Sequence, residues 1–192
     1  MPAREQALAL MHEYTPSEKL RRHMLGVEAA MRAYARKQGA DEDLWGLTGL
    51  LHDFDYERWP NDGHAADREH PSEGVRILRD LGYPEEMCRA ILAHAEYTGV
   101  EPDGAMARTL RAVDELTGFI VACSLVRPNG ITDLTPKSVK KKMKDRAFAA
   151  AVDREAIRTS TEELGEDLTE HIAFVIGALQ DVAATLGLEG GR

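Results

Sequence analysis

His52 and Asp53 close the apolar run LWGLTGLLHDFDYE. An ionisable pair at the end of a hydrophobic helix needs a compensating partner, because burying such groups unpaired is costly. A divalent metal ion supplies one. His23 lies upstream in LRRHMLGVEAAM and Asp114 downstream in TLRAVDELTGFIV, both in equally apolar surroundings. The order H…HD…D therefore gathers imidazole and carboxylate donors, which suit iron, manganese, cobalt or zinc, and no thiolate joins them. Neighbouring helical residues diverge by about 100° around the axis. His52 and Asp53 can thus serve one site only at a helix end, or if Asp53 reaches across two ions.

The elements that must position these residues read as helices throughout, since apolar residues recur at helical spacing and no segment alternates as a half-buried strand does. The expected fold is all-α. A short helix near residues 3–13 is followed by Thr15-Pro16-Ser17-Glu18, which offers an N-cap, a proline for the first turn and a capping-box acid. The helix it starts runs to about Gln38, with Gly39 at its C-terminal end, and sets His23 on an apolar face with Val27, Ala30, Met31 and Tyr34. Asp41 caps a third helix that opens, at the His52-Asp53 pair, into the polar stretch DYERWPNDGHAADREH. Pro71 and Pro84 start two further helices, and a long apolar one over about 106–126 carries Asp114. Thr135-Pro136 caps the basic helix KSVKKKMK, and two helices follow over about 153–164 and 168–186. The tail LEGGR is expected to fray.

The chain has 192 residues and 43% hydrophobic content, enough for one domain with a real core. A single domain is expected over residues 1–192, with a metal-binding core at about 18–127 and a helical segment at about 136–186. The net charge of −9 argues against an extended nucleic-acid or membrane-surface partner, which would call for a net basic face. Cys88 and Cys123 show no CxxC spacing and read as reduced core thiols. No run approaches the roughly 20 apolar residues of a membrane span, and the first residues do not read as a signal peptide, so a cytoplasmic location is expected. His12 and His171 read as surface residues beside charged neighbours, and His64 as a solvated loop residue. A homodimer and a monomer are equally compatible with the sequence.

The order H…HD…D resembles the HD-domain superfamily of metal-dependent phosphohydrolases, over about residues 18–127. In the binuclear members the aspartate of the HD pair bridges two metals, and two further histidines before the last aspartate hold the second ion. His70 in EHPSEGVRIL and His94 in RAILAHAEYTG stand in those places. The resemblance thus implies His23, His52, Asp53, His70, His94 and Asp114 as ligands of one or two ions of iron, manganese, cobalt, magnesium or zinc. It further implies hydrolysis of a small phosphoester, a nucleotide among the candidates, by a metal-bound hydroxide, since metals activate water and polarise phosphoryl oxygens.

Asp53 sets the catalytic geometry in this reading, and Asp55 and Glu57 are the nearest acids able to protonate the leaving oxygen. Some HD nucleotidases place a catalytic glutamate three residues after the HD aspartate, where this chain has Tyr56. Substrate phosphate needs positive partners as well. Lys137, Lys140, Lys141, Lys142, Lys144 and Arg146 cluster around the single acid Asp145. The segment SVKKKMKDRAFAAAVDRE after Val126-Arg127-Pro128 resembles the C-terminal part of small prokaryotic HD hydrolases. Arg127, Lys141, Lys144 and Arg154 are the phosphate candidates. The patch is short and lacks interleaved aromatics, which again argues against an extended nucleic acid. One other function shares the six-ligand order, that of mixed-valence di-iron oxygenases; a third alternative, a non-catalytic HD module that binds a nucleotide or a partner protein, is opposed by the retention of every expected ligand.

Overall fold

The computed structural model describes residues 3–191. Among them are ten α-helices, one 3₁₀ turn at Glu96–Thr98 and no strand, as the all-α expectation requires. Two compact units emerge, Met1–Arg111 and Ala112–Arg192, with the boundary inside one continuous helix.

The first unit holds α1 (Arg4–Tyr14), α2 (Glu18–Gln38), α3 (Glu42–Leu51), α4 (Ser72–Asp80), α5 (Glu85–His94) and the first turns of α6 (Gly104–Leu125). Residues Trp45 to Leu51 of α3 are all buried. The run LWGLTGLL thus has no polar face, as a helix enclosed by others requires. α3 packs against α2, α1 and α5. Gly49 sets the tightest point of the α2–α3 crossing. A Cβ there would lie 2.9 Å from the Glu28 nitrogen and from the Val27 carbonyl group, all backbone atoms.

Ser17, not Thr15, caps α2 by accepting from the Leu20 N–H at 3.3 Å. The Thr15 hydroxyl is engaged elsewhere, donating to the Phe54 carbonyl at 2.9 Å. That bond fastens the end of α1 to the segment just after His52. Arg58 adds a second tie, donating to the Glu13 carbonyl at 2.8 Å with its guanidinium 3.8 Å from the centre of the Tyr14 ring. The polar stretch after Asp53 is held at its far end too, where the His70 N–H donates to the Trp59 carbonyl at 2.7 Å. Both ends of this loop are fixed beside the residues whose chemistry matters.

The second unit comprises the rest of α6, α7 (Pro136–Met143), α8 (Arg154–Leu164), α9 (Leu168–Gln180) and α10 (Ala183–Leu186). Thr135 caps α7 as expected, accepting from Ser138 N–H. The helix expected over 168–186 breaks at Asp181-Val182, where Val182 takes φ −120° and leaves helical geometry. His171 departs from expectation. It is buried, and its Nε2 donates to the Ala112 carbonyl at 2.9 Å. Its apolar successors Ile172, Val175 and Ile176 turn the same helix face inward, and they outweigh the charged neighbours. The described part of the tail, residues 188–191, does not fray either, and Arg192 lies outside the described residues. Leu188 is buried and its carbonyl accepts from Ile131 N–H at 2.9 Å, while Gly191 N–H donates to the Pro128 carbonyl at 3.0 Å.

Candidate metal centre

α3 ends at Leu51, and His52 is its C-cap with helical backbone angles. Its ring turns back along the helix, and Nδ1 meets the Gly49 carbonyl at 2.8 Å. His94, the last residue of α5, repeats the device with its Nδ1 on the Ile91 carbonyl. A carbonyl oxygen only accepts, so the ring proton of each sits on Nδ1 and the Nε2 lone pair faces away from the helix. His70 precedes α4 and takes a different partner. Its Nδ1 donates to Asp55 Oδ1 at 2.7 Å, which leaves Nε2 in the same state.

The Nε2 atoms converge on Asp53. Oδ2 of Asp53 lies 3.3 Å from His52 Nε2 and 3.8 Å from His23 Nε2. Oδ1 lies 3.3 Å from His70 Nε2 and 3.5 Å from His94 Nε2. Each carboxylate oxygen thus faces its own pair of histidines. His70 and His94 bring their Nε2 atoms within 3.3 Å of each other. The His23, His52 and Asp53 donors lie within 4.8 Å of one another, as do those of Asp53, His70 and His94. Two donors bound to one ion at about 2.0–2.2 Å each stand no more than about 4.4 Å apart. The four contacts of 3.3 to 3.8 Å around Asp53 respect that limit.

Burial works to raise the Asp53 carboxyl. With Nε2 protonated as well as Nδ1, the His52 ring, hydrogen bonds from His52 and His94, and the His70 ring outweigh it and hold the group well below the usual carboxylate range. An ionised Asp53 therefore needs positive charge from its surroundings. Protonating the histidines is one source, but the His23–His52, His52–His94 and His70–His94 ring centres are only 5.2–5.3 Å apart. Each pair of imidazolium ions at that spacing repels by roughly 3 kcal/mol at an effective dielectric of about 20. A divalent cation meets the same need with neutral rings. The donor set and its spacing fit such an ion.

A family model described as HD domain matches residues 20–118, just over half of the chain. The chain belongs to the HD-domain family. Searches among curated proteins and among solved structures gave no match. The matched segment of this HD domain contains His23, the His52-Asp53 pair, His70, His94 and Asp114. The first unit brings five of these six together. Asp114 lies in the second unit, on the uninterrupted helix α6.

The candidate acids of the HD domain fall in different places. Asp55 is buried, with Oδ1 on His70 and Oδ2 accepting from Gly74 N–H at 2.7 Å. Both its oxygens are committed to protein partners, which suits holding His70 and not delivering a proton to a substrate. Glu57 is exposed, and its Oε2 accepts from Ser17 N–H at 3.0 Å beside the start of α2.

The phosphate candidates divide as well. Arg127 is paired with Asp133 at 2.8 Å. The Arg154 guanidinium donates to the carbonyls of Ala149 at 2.8 Å, Val152 at 2.6 Å, Asp145 at 3.4 Å and Phe148, so it clamps the turns ahead of α8. A group spent on four backbone oxygens is a structural fastening, and this corrects its assignment to phosphate. Lys141 and Lys144 are exposed on α7 and at its end.

Sequence reasoning passed over Tyr97. Its hydroxyl donates to the His70 carbonyl, its ring stacks on His64 with centres 4.9 Å apart, and burial pushes its phenol up, which keeps the donated proton in place. His64 is exposed, as expected, and adopts φ 49°. No motif marks this pair. The only signal was an aromatic three residues after His94.

Proposed function

We propose that the chain is a metal-dependent phosphohydrolase that cleaves a small phosphoester, with nucleotides among the candidate substrates. The observation that carries this reading is the division of Asp53, with one oxygen facing His23 and His52 and the other facing His70 and His94. A carboxylate so placed suits two ions, with Asp53 between them. Asp114, the last acid of the family pattern and part of the matched segment, is proposed as a further ligand.

Divalent ions held there would supply polarisation of a phosphoryl oxygen and an acidified water. The chain's own contribution is orientation. Nδ1 of His52, His94 and His70 is fixed by Gly49, Ile91 and Asp55, which aims each Nε2 lone pair inward before any ligand arrives. Lys141 and Lys144 are proposed to meet substrate phosphate, since Arg127 and Arg154 already hold protein partners. One domain acting in the cytoplasm is part of the same proposal. Among the described residues no helix is long and apolar enough to cross a membrane.

The test is phosphate release from a panel of nucleotides and sugar phosphates with added manganese or ferrous iron, with the parent beside Asp53→Ala. Release by the parent alone supports the reading. No release from metal-loaded parent across the panel refutes it, and oxygen uptake with ferrous iron would then point to the oxygenase chemistry that shares these ligands.

A further inference from the structure

The histidines around Asp53 are not held alike. His52 and His94 donate Nδ1–H to carbonyls three residues earlier in their own helices, so neutral, local groups fix their rings. His70 has no such helix behind it. Its Nδ1–H goes to Asp55, a buried carboxylate fifteen residues away, whose other oxygen accepts the Gly74 N–H in the first turn of α4. Pro71, the N-cap of α4, supplies no side-chain cap. Asp55 therefore does that work from outside the helix, where a negative charge is favoured by the unsatisfied N–H groups. Gly74 is required for the approach. A Cβ at that position would lie 2.6 Å from Asp55 Cγ.

We infer that Asp55 is a positioning residue that selectively makes the His70–His94 side of the centre competent for metal, by linking His70 Nδ1 to the N-terminus of α4. This rests on the two-ion reading given above. A carboxylate behind an imidazole fixes its tautomer and orientation and strengthens the ring as a donor, and loss of such a partner typically weakens metal binding about 10- to 100-fold. Behind His52 that place is taken by the neutral Gly49 carbonyl. The affinity of the His23–His52 side should not depend on Asp55.

The experiment is calorimetric titration of the metal-free full chain with manganese, for the parent, Asp55→Asn and His70→Ala, with far-UV circular dichroism confirming the fold. Asparagine keeps an acceptor for His70 and loses both the charge and the second acceptor for Gly74 N–H. The expected result is two binding events in the parent, and in Asp55→Asn one event unchanged with the other weakened about 10- to 100-fold, approaching the single event of His70→Ala. Gly74→Ala, which displaces the carboxylate while leaving every charge in place, should give the same pattern and serves if Asp55→Asn does not fold.

Two undiminished events in the variant would overturn the inference. Equal weakening of both events would overturn it too, because Asp55 would then support the whole centre. A parent that binds fewer than two ions would instead overturn the two-ion reading itself, and the inference with it.

Discussion

Substituting Gly49 with alanine tests the packing on which the centre is built. The added Cβ would meet the backbone of Val27 and Glu28 at 2.9 Å, whereas ordinary contacts begin at 3.4 Å. Backbone atoms inside a helix cannot rotate away, so α2 and α3 must separate by about half an ångström or more. Overpacking of this kind costs about 1–3 kcal/mol. Alanine's better helix propensity offsets up to about 1 kcal/mol of that. A net loss of roughly 1–2 kcal/mol should lower the melting temperature of a chain this size by about 3–6 °C.

Gly177 in α9 provides the opposite case, because a Cβ there meets nothing within 4 Å. Gly177→Ala should stabilise by about 0.5–1 kcal/mol. The assay is thermal unfolding of the metal-free protein followed by far-UV circular dichroism. A Gly49→Ala protein that melts at or above the parent temperature would refute the close-packing argument. Since His52 Nδ1 donates to the Gly49 carbonyl, the destabilised variant should also bind manganese more weakly.

Asp53→Ala should lose bound metal and activity together, whereas exposed His12→Ala should change neither; elemental analysis beside phosphate release reads both. Arg154→Ala removes donors from four carbonyls and should destabilise the fold by about 1–3 kcal/mol, with proteolysis beginning in residues 145–152; a variant as stable and protease-resistant as the parent, but weaker for substrate, would restore Arg154 to phosphate binding. Burial, the largest influence on each, pushes the Cys88 and Cys123 thiols up to about 11. The folded state therefore favours the protonated thiols. Their contribution to stability is complete below the unfolded value of 9 and declines as pH rises from there toward 11. Iodoacetamide at pH 8 should leave both thiols unmodified until urea is added, and ready alkylation of the folded chain would contradict this.

Several helices were legible because they carry their own start signals. Asp41, Thr135 and Asp153 all act as caps, and α3 shows by its uninterrupted apolar run that it lies inside. His52 and His94 were legible as inward-facing for the same local reason, since each ends an apolar helix. The misreadings arose where a distant partner decides a residue's role. Thr15 looked like a cap and instead reaches Phe54; Asp55 looked like an acid beside the reaction and instead anchors His70; Arg154 looked like an anion binder and instead gathers carbonyls. A carboxylate fifteen residues from its histidine leaves no periodic trace. His171 shows the converse, where flanking charge outweighed an apolar pattern that burial obeys.

The bond from Gly74 N–H to Asp55 Oδ2 places an exchangeable backbone hydrogen inside the chain of contacts that ends at His70 Nε2. The isotope-exchange rate of that one amide therefore reads how often the brace opens. Conditions that loosen His70 without unfolding α4 would unprotect Gly74 ahead of the amides later in the helix. The centre thus carries an internal probe, which nuclear magnetic resonance of the nitrogen-15-labelled protein can follow in deuterated water without substrate or substitution.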